Sequence, residues 1–309
     1  MAKIVLIGTG AVGASFAYAC VLKSLCNELV LIDVNQQKAL GDAIDLNHAM
    51  ACEKPMQITA GAYSDCAGAD IIVITAGTAQ RPGETRLDLM HRNVAIFKAI
   101  LAEVERYAPP EAILLIASNP VDILTHVAYK LSGRPKAQVI GSGTVLDSNR
   151  FRFLVGEALD VSPRSVHGFV IGEHGDSEVP VWSSLQLAGI QVGSEGRYGI
   201  SDAEKERIFR ETVGAAGEII RLKGATYYGI ASALARICEA ILRDHRAVLP
   251  VSSFLEGYYG ISDVCLGVPS LLGRDGVIET LEIPLTEEER AKLVHSAETL
   301  KTFIKEIGY

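Results

Sequence analysis

The sequence has little positive charge and no paired cysteines. Its 309 residues carry 29 Lys and Arg against 37 Asp and Glu, a formal net charge of −8. This balance argues against a general nucleic-acid binder, because nothing would draw the chain to phosphate backbones. The six cysteines form no CxxC pair. We therefore expect free thiols in a reducing compartment and no metal site.

Long uncharged stretches are also scarce. Residues 4–22 (IVLIGTGAVGASFAYACVL) carry no charge, and a membrane span or a signal peptide can look like this. Only Lys3 supplies positive charge before the run, and three glycines stand inside it at the spacing of a binding loop. We therefore expect no membrane anchor and no export, and a cytoplasmic protein.

Short apolar runs alternate with longer helical patterns in the first half of the chain. The runs lie at residues 3–8, 28–33, 69–76, 111–118 and 137–143. Their β-branched residues follow one another without polar alternation, which is typical of parallel strands buried on both faces. The alternation predicts a Rossmann-type doubly wound α/β sheet, in which the loops after the strands converge on one site.

The second half of the chain has a different pattern. Its strand-like and helical patterns lie, in order, at residues 165–183 (strand), 201–222 (helix), 226–244 (helix), 276–285 (strand) and 286–307 (helix). This mixture predicts an α+β catalytic domain over residues 142–309, after a first domain over residues 1–141. We expect the helix at about 226–244 to pack back onto the first domain.

A glycine motif, GTGAVG, opens the first helix with Gly8, Gly10 and Gly13. Small residues let the backbone approach a pyrophosphate, which then lies at the helix N-terminus. Asp33 ends the second strand, twenty residues after Gly13. Its carboxylate can accept hydrogen bonds from the adenosine ribose and would repel a 2′-phosphate, so the first domain is predicted to bind NAD rather than NADP. The alternative is tight helix packing beside a turn Asp.

Three later motifs follow predicted strand ends. SNPVD (118–122) offers Asn119 to a nicotinamide amide or a substrate oxygen, although Asn-Pro is also ordinary in turns. GTVLDSNRFR (143–152) places Asp147 and Arg150 on one helical face, where such a pair is more often a solvated surface pair. GEHGDSE (172–178) holds His174, and an imidazole can take a proton from a hydroxyl at neutral pH.

Together these groups fit the chemistry of a 2-hydroxy acid. A guanidinium matches the substrate carboxylate bidentately, and His174 would remove the hydroxyl proton. A carboxylate would fix the imidazole tautomer, and a second Arg would stabilise charge on the carbonyl oxygen. The loop TAGTAQRPGETRLDL (75–89) carries that second candidate, Arg86, and its glycines predict a lid.

The motifs AGxxQxPGETRLDL, SNPVD, GTVLDSxRFR, GEHGDSEVPVWS and KGATYYGIA occur here in order. They make the chain similar to the lactate and malate dehydrogenase family over essentially its whole length, and most similar to its bacterial L-lactate members. The resemblance implies that His174 is the acid/base residue, Asp147 its partner and Arg150 the anchor of the substrate carboxylate. It implies that Arg86 closes over the site and polarises the ketone.

The same resemblance implies contacts for further residues. Asn119 would contact nicotinamide or substrate across a cis bond to Pro120, and Thr226 would border the substrate pocket. The residues expected to bind the cofactor NAD are Gly8, Gly10, Val12, Gly13, Asp33, Ala76, Gly77, Asn119 and Ser142.

Gln80 decides between the two substrates of the family. In the family this position faces the substituent on the third carbon of the substrate, and malate dehydrogenases place Arg there to pair the second carboxylate of oxaloacetate. A neutral Gln would leave that carboxylate buried and unpaired, which favours pyruvate and L-lactate. Glu84 and Thr226 also match the lactate type. Malate dehydrogenase stays an alternative because the adjacent Arg81 could turn inward, and a non-catalytic NAD-binding sensor is a more distant one.

A second site is predicted from Arg152 and His167. Arg152 lies about 200° round the helix from Arg150, so the two look in different directions. The resemblance implies that an Arg and a His at these positions bind fructose 1,6-bisphosphate across a subunit interface of a homotetramer, a dimer of dimers. The alternative is an ordinary surface Arg and a strand His.

Overall fold

The computed structural model describes residues 2–78 and 86–309, without the side chains of residues 86 and 87. Its strands are β1 (Lys3–Ile7), β2 (Glu28–Ile32), β3 (Gln57–Ala60), β4 (Ile71–Ile74), β5 (Ile113–Ile116), β6 (Val139–Gly141), β7 (Val166–His167), β8 (Val170–Ile171), β9 (Val179–Pro180), β10 (Gln186–Leu187), β11 (Ile190–Gln191), β12 (Ala247–Tyr258), β13 (Ile261–Gly273) and β14 (Gly276–Thr280). Its helices are α1 (Ala11–Lys23), α2 (Gln36–His48), α3 (Arg86–Tyr107), α4 (Val121–Ser132), α5 (Val145–Leu159), α6 (Asp202–Lys223), α7 (Tyr228–Leu242) and α8 (Glu287–Glu306).

Nine strands of the described chain form one sheet, in the order β14-β13-β12-β6-β5-β4-β1-β2-β3. The six strands from β6 to β3 pair in parallel. The direction of winding reverses between β1 and β4, so the carboxyl ends of these strands open a crevice there. The predicted Rossmann-type doubly wound sheet is confirmed.

The parallel strands are buried on both faces, as their apolar runs predict. In β1, Val5 and Ile7 pack into the core on one side of the sheet, while Ile4 and Leu6 pack into the core on the other side. Successive side chains of a strand point to opposite faces, so a run without polar residues supplies both cores at once.

The uncharged run at residues 4–22 divides into β1 and the helix α1, with Gly8 and Gly10 between them. Across residues 2–78 and 86–309, no helix is both long and apolar enough to cross a bilayer.

Three parts of the sheet differ from the sequence-based expectations, the first being the edge strand β3, which was not predicted. The hairpin of β12 and β13 was not predicted either. It joins the large sheet by antiparallel pairing, with Ser252 of β12 opposite Gly141 of β6. Pro250, Ser252 and Ser253 interrupt the apolar pattern of β12, so its sequence does not look like a buried strand. The strand expected over 276–285 ends at Thr280.

The rest of the second half forms smaller layers. A three-stranded sheet has the order β11-β10-β7, and β8 pairs with β9 across the loop that carries His174. Phe151 of α5, Val170 and Ile208 of α6 belong to a separate core cluster here. The helix α7 packs instead with α1: Cys238 and Phe16 lie in the same core cluster as the strands of the large sheet.

Candidate active site

The glycine motif lies where β1 turns into α1. Gly8 has a φ of +100°, and a Cβ added there would lie 2.6 Å from the Ala76 nitrogen. A Cβ on Gly13 would lie 1.9 Å from the Gly8 carbonyl oxygen. These two glycines are therefore required by close packing of the chain. A Cβ on Gly10 would meet nothing within 4 Å, so the N-terminus of α1 faces open space that a pyrophosphate can occupy.

Asp33 follows β2 and faces this turn. Its Oδ2 accepts hydrogen bonds from the backbone nitrogen of Thr9 at 2.7 Å and from the Thr9 hydroxyl at 3.2 Å. Its Oδ1 accepts from the backbone nitrogen of Asn35 at 2.8 Å. A carboxylate has about four acceptor positions, so a fixed Asp33 can still receive ribose hydroxyls. The glycine cradle and this acid together fit NAD.

The other residues predicted to bind NAD stand at the same edge of the sheet. Ala76 and Gly77 follow β4, and the Ser118 hydroxyl donates to the Ala76 carbonyl at 2.5 Å. Ser142 follows β6, with its backbone nitrogen bonded to the Ile116 carbonyl at 2.8 Å. Val12 lies in the first turn of α1.

Asn119 follows β5 at the same edge. The Asn119–Pro120 peptide bond is cis, as the resemblance implies. The Asn93 side-chain amide donates to the Asn119 carbonyl at 3.0 Å. The side chain of Asn119 is exposed at the crevice edge and therefore accessible to a ligand.

His174, Asp147 and Arg150 come together at the amino end of α5. The Nδ1 atom of His174 lies 2.6 Å from Oδ2 of Asp147, and an Arg150 guanidinium nitrogen donates to Oδ1 of Asp147 at 2.9 Å. The Asp147 side chain is 2% exposed, whereas His174 keeps 25% and Arg150 keeps 13%. Asp147 is therefore buried, while the side chains of His174 and Arg150 beside it reach solvent.

The loop of His174 is fixed to α5 through β8. The Thr144 and Ser148 hydroxyls both donate to the Val170 carbonyl, at 2.6 and 3.2 Å. Gly172 and Gly267 of β13 exchange two backbone hydrogen bonds, at 2.8 and 3.0 Å. These contacts hold the ring of His174 at hydrogen-bond distance from α5.

Asp122 also supports His174, a role that sequence reasoning did not predict. Its Oδ2 accepts the backbone N–H of His174 at 2.8 Å, and its Oδ1 accepts the Ser252 hydroxyl at 2.6 Å. Burial raises the pKa of Asp122 to about 6, although both hydrogen bonds oppose the shift. Asp122 lies in the motif SNPVD at the start of α4. This position in the motif was the signal that could have identified it as a site residue.

The pair His174–Asp147 has displaced pKa values. Burial alone would raise the pKa of Asp147, but the His174 and Arg150 cations beside it hold it below the ordinary range. Burial alone would lower the pKa of His174, but the Asp147 carboxylate reverses this and raises it to about 9. Since an ionised carboxylate only accepts, Nδ1 of His174 carries a proton, and Nε2 is the nitrogen left for a substrate.

Two sequence models of one family cover nearly the whole chain. The lactate/malate dehydrogenase NAD-binding domain matches residues 2–141, and the alpha/beta C-terminal domain of the same family matches residues 144–308. The chain belongs to the lactate/malate dehydrogenase family. Like other members of this family, it is an NAD-dependent oxidoreductase.

Individual relatives match over almost their full length. An L-lactate dehydrogenase of Halalkalibacterium halodurans is 51% identical over 97% of this chain and 95% of its own. An L-lactate dehydrogenase 1 of Clostridium acetobutylicum is 49% identical over 99% of this chain and 98% of its own. Among solved structures, the minor L-lactate dehydrogenase from Enterococcus mundtii has a TM-score of 0.96 and 43% identity, covering 99% of this chain and 98% of its own.

The structure does not describe the side chains of two predicted family residues. Gln80 lies outside the described residues, and so does the side chain of Arg86, although its backbone begins α3. Thr226 is half-buried in the connection between α6 and α7.

The two residues of the predicted effector site lie on neighbouring elements. Arg152 of α5 donates to the Pro163 carbonyl at 3.4 Å, and its Nε is buried without a partner among the described residues. Burial lowers its pKa. His167 lies on β7, opposite Gln186, with its side chain exposed. Arg150 and Arg152 therefore have different surroundings, as expected from their spacing on the helix.

Proposed function

We propose that this enzyme is an L-lactate dehydrogenase, which reduces pyruvate with NADH and oxidises L-lactate with NAD. The observation that carries the proposal is the 2.6 Å contact between His174 Nδ1 and Asp147 Oδ2, with Arg150 beside it. Asp122, which accepts the backbone N–H of His174, lies at the start of α4 just after β5, at the edge of the sheet where we assign Gly10 and Asp33 to NAD. We also propose that the chain divides into two domains, residues 1–141 and residues 142–309.

His174 would act through Nε2. In pyruvate reduction the imidazolium donates its proton to the carbonyl oxygen, and in lactate oxidation the neutral imidazole accepts the hydroxyl proton. Asp147 holds the ring in the required tautomer and stabilises its cation. The nicotinamide, when bound, supplies or accepts the hydride.

Arg150 would bind the substrate carboxylate. One guanidinium nitrogen donates to Asp147, and a guanidinium has five N–H donors, so a bidentate face is left for the carboxylate. We assign Arg86 to the substrate carbonyl oxygen, Gln80 to the third carbon, and Asn119 and Thr226 to the pocket wall. These four assignments rest on the family resemblance.

The substrate preference follows from charge. Gln80 supplies no cation for a second carboxylate, so oxaloacetate would bury an unpaired charge. The ~50% identical relatives are L-lactate dehydrogenases, which supports the same choice. Malate dehydrogenase activity is the second candidate, because Arg81 is adjacent to Gln80.

The test is NADH oxidation with pyruvate and with oxaloacetate, compared as kcat/KM. We expect a preference for pyruvate of roughly a thousandfold. A preference for oxaloacetate would overturn the assignment and direct attention to Arg81. NADH binding without turnover of any 2-oxo acid would support the non-catalytic sensor instead.

We further propose that fructose 1,6-bisphosphate binds at Arg152 and His167 between subunits of a homotetramer. The unpartnered buried Nε of Arg152 supports this, because a phosphate would satisfy it. Exposed apolar side chains on α1 and α2, including Tyr18, Leu22 and Ile44, support an assembly. The effector should lower the KM for pyruvate, and an unchanged KM would return both residues to structural roles.

All six cysteines are free thiols. This agrees with a reducing compartment, and we propose that the enzyme works in the cytoplasm.

A further inference from the structure

A third carboxyl group lies beside the His174–Asp147 pair. Glu178 is 5% exposed, and its Oε1 atom is buried without a hydrogen-bond partner among the described residues. A Glu178 carboxylate oxygen, an Asp147 carboxylate oxygen and a ring nitrogen of His174 all lie within 4.8 Å of one another. A buried acid without a partner is costly to retain, so its presence next to the acid/base pair calls for a role.

The charges around Glu178 come from several elements. Asp147 and Arg150 face it from α5, and Glu173 and His174 face it from its own loop. Asp122 of α4 faces His174 from another side. Residues 178–180 border a surface pocket. Six further charged residues line this pocket: Asp202, Lys205, Glu206, Glu288, Glu289 and Lys292.

The surroundings of Glu178 disfavour its charged form. Burial first, and then the nearby Asp147 carboxylate, raise the pKa of Glu178 to about 8. The pKa of His174 is raised to about 9, so the two groups lose their protons over neighbouring ranges of pH. Groups this close titrate as a unit.

We propose that Glu178 is a positioning residue for proton transfer: its ionisation controls whether His174 is protonated, without contact to the substrate. The inference rests on the proposed function, because it concerns the proton that His174 exchanges with pyruvate or lactate.

The direction of the effect follows from charge. As pH rises, Glu178 becomes an anion and stabilises the His174 imidazolium, so His174 keeps its proton to a higher pH. Without this carboxylate His174 loses its proton earlier. Pyruvate reduction needs the imidazolium and would weaken at alkaline pH. Lactate oxidation needs the neutral imidazole and would strengthen at pH 8–9, where Glu178 is ionised.

The decisive variant is Glu178→Gln, which keeps the shape of the side chain and removes its charge. A unit charge at this distance is expected to move the alkaline limb of kcat/KM for pyruvate reduction down by about 0.5–1 pH unit. At pH 9.5 the variant should reduce pyruvate about 3–10 times more slowly than the parent, and at pH 6.5 within about twofold of it. Lactate oxidation should instead become faster, by up to about twofold at pH 8.5, where Glu178 of the parent is ionised and the His174 proton is being lost.

These opposite changes separate the proposal from simple structural damage, which would lower both directions together. Glu288→Gln is the matched control, because Glu288 borders the same pocket, is exposed and pairs with Lys292 at 2.6 Å. It should leave both pH profiles unchanged. An alkaline limb that stays in place or moves upward in Glu178→Gln would overturn the proposal.

A second measurement tests the proposal even if the Glu178→Gln variant does not fold. The His174 imidazole of the unmodified holoenzyme is titrated by NMR, and we expect a titration curve broader than that of one independent group, because Glu178 and His174 ionise over neighbouring ranges of pH. A curve with the shape of one independent group overturns the inference. If the unmodified enzyme does not reduce pyruvate at all, the proposed function fails instead, and the two failures are distinguishable.

Discussion

The backbone N–H of His174 donates to Oδ2 of Asp122 at 2.8 Å, while its ring is bound to Asp147 on α5. The acid/base candidate is therefore held by two buried carboxyl groups from two different helices. Asp122 also accepts the Ser252 hydroxyl at 2.6 Å, which joins α4 to the β12 strand of the same sheet. This carboxyl group therefore joins the first half of the chain to the loop of His174 and to β12.

Asp122→Asn should disturb this junction. An amide can accept from one of the two donors but presents N–H groups to the other, so we expect a loss of about 1–3 kcal/mol in the free energy of unfolding. We also expect kcat/KM for pyruvate to fall roughly tenfold as the loop of His174 shifts. Urea unfolding and steady-state kinetics measure the two effects.

Asp263→Asn is the control for that change. Asp263 is 71% exposed and pairs with Lys130 at 2.7 Å, so its loss should cost less than about 0.5 kcal/mol. Equal losses in the two variants would show that Asp122 acts only as a surface acid does.

Asp147→Asn should remove the tautomer control of His174. The amide can donate to Nδ1 and favour the wrong ring form, so kcat for pyruvate reduction should fall by about 10²–10⁴-fold at pH 7. Because the Asp147 carboxylate raises the pKa of His174, the alkaline limb of the remaining activity should move to lower pH. NADH affinity, followed by fluorescence, should stay within about twofold of the parent. A variant that keeps the pH profile of the parent would contradict the assigned pair.

The sequence predicted the parallel sheet because apolar runs buried on both faces have a distinctive pattern. It predicted a site for Asp147 and Arg150 because they follow the parallel strand β6. His174 lies between the antiparallel strands β8 and β9, and it was joined to Asp147 and Arg150 through the chemistry of a 2-hydroxy acid and the family resemblance. The sequence did not predict Asp122 or Glu178, because an acid in a polar stretch such as GEHGDSE looks exposed, and burial depends on distant β13 and α8. The hairpin β12–β13 was missed for a related reason, since its buried Ser252 and Ser253 contact partners that the local sequence does not reveal.

Gly10→Ala and Gly13→Ala should separate cofactor binding from packing. A Cβ at Gly13 meets the Gly8 carbonyl oxygen at 1.9 Å, so this variant should be strongly destabilised, with or without NADH. A Cβ at Gly10 meets nothing, so this variant should unfold near the temperature of the parent. It should nevertheless bind NADH at least about tenfold more weakly, because the methyl group occupies the pyrophosphate space.

Calorimetry and NADH fluorescence test the glycine variants together. Gly41→Ala, in the exposed part of α2, is the control and should bind NADH like the parent, with a gain of about 0.5–1 kcal/mol in stability. Unchanged NADH binding in Gly10→Ala would move the pyrophosphate away from the N-terminus of α1.

Asp33→Asn should weaken the choice between NADH and NADPH. The charge that repels a 2′-phosphate is lost, while an oxygen acceptor remains for the Thr9 nitrogen, so the fold is expected to persist. The ratio of kcat/KM for NADH to that for NADPH should fall by at least about tenfold. Asp42 is a surface residue that pairs with Lys38 at 2.6 Å. Its variant Asp42→Asn should leave the ratio unchanged. If both variants behave alike, Asp33 does not face the ribose.

His126 should make the protein less stable in mild acid. It is 1% exposed on α4, its Nδ1 has no partner among the described residues, and burial lowers its pKa to about 4. The unfolded chain takes up this proton near pH 6.5, whereas the folded chain resists it down to about 4. The contribution of His126 to stability is therefore complete above pH 6.5 and lost as pH falls towards 4.

The comparison of His126→Leu with the parent isolates this contribution. Between pH 7.5 and pH 5 the parent should lose about 2 kcal/mol more free energy of unfolding than the variant, because only the parent must keep a buried imidazole neutral. His295→Leu, at an exposed position of α8, should lose as much as the parent. Urea unfolding at both pH values gives the three differences. Parallel losses in all three proteins would mean that the folded state accommodates the protonated His126, and that acid instability comes from the carboxyl groups alone.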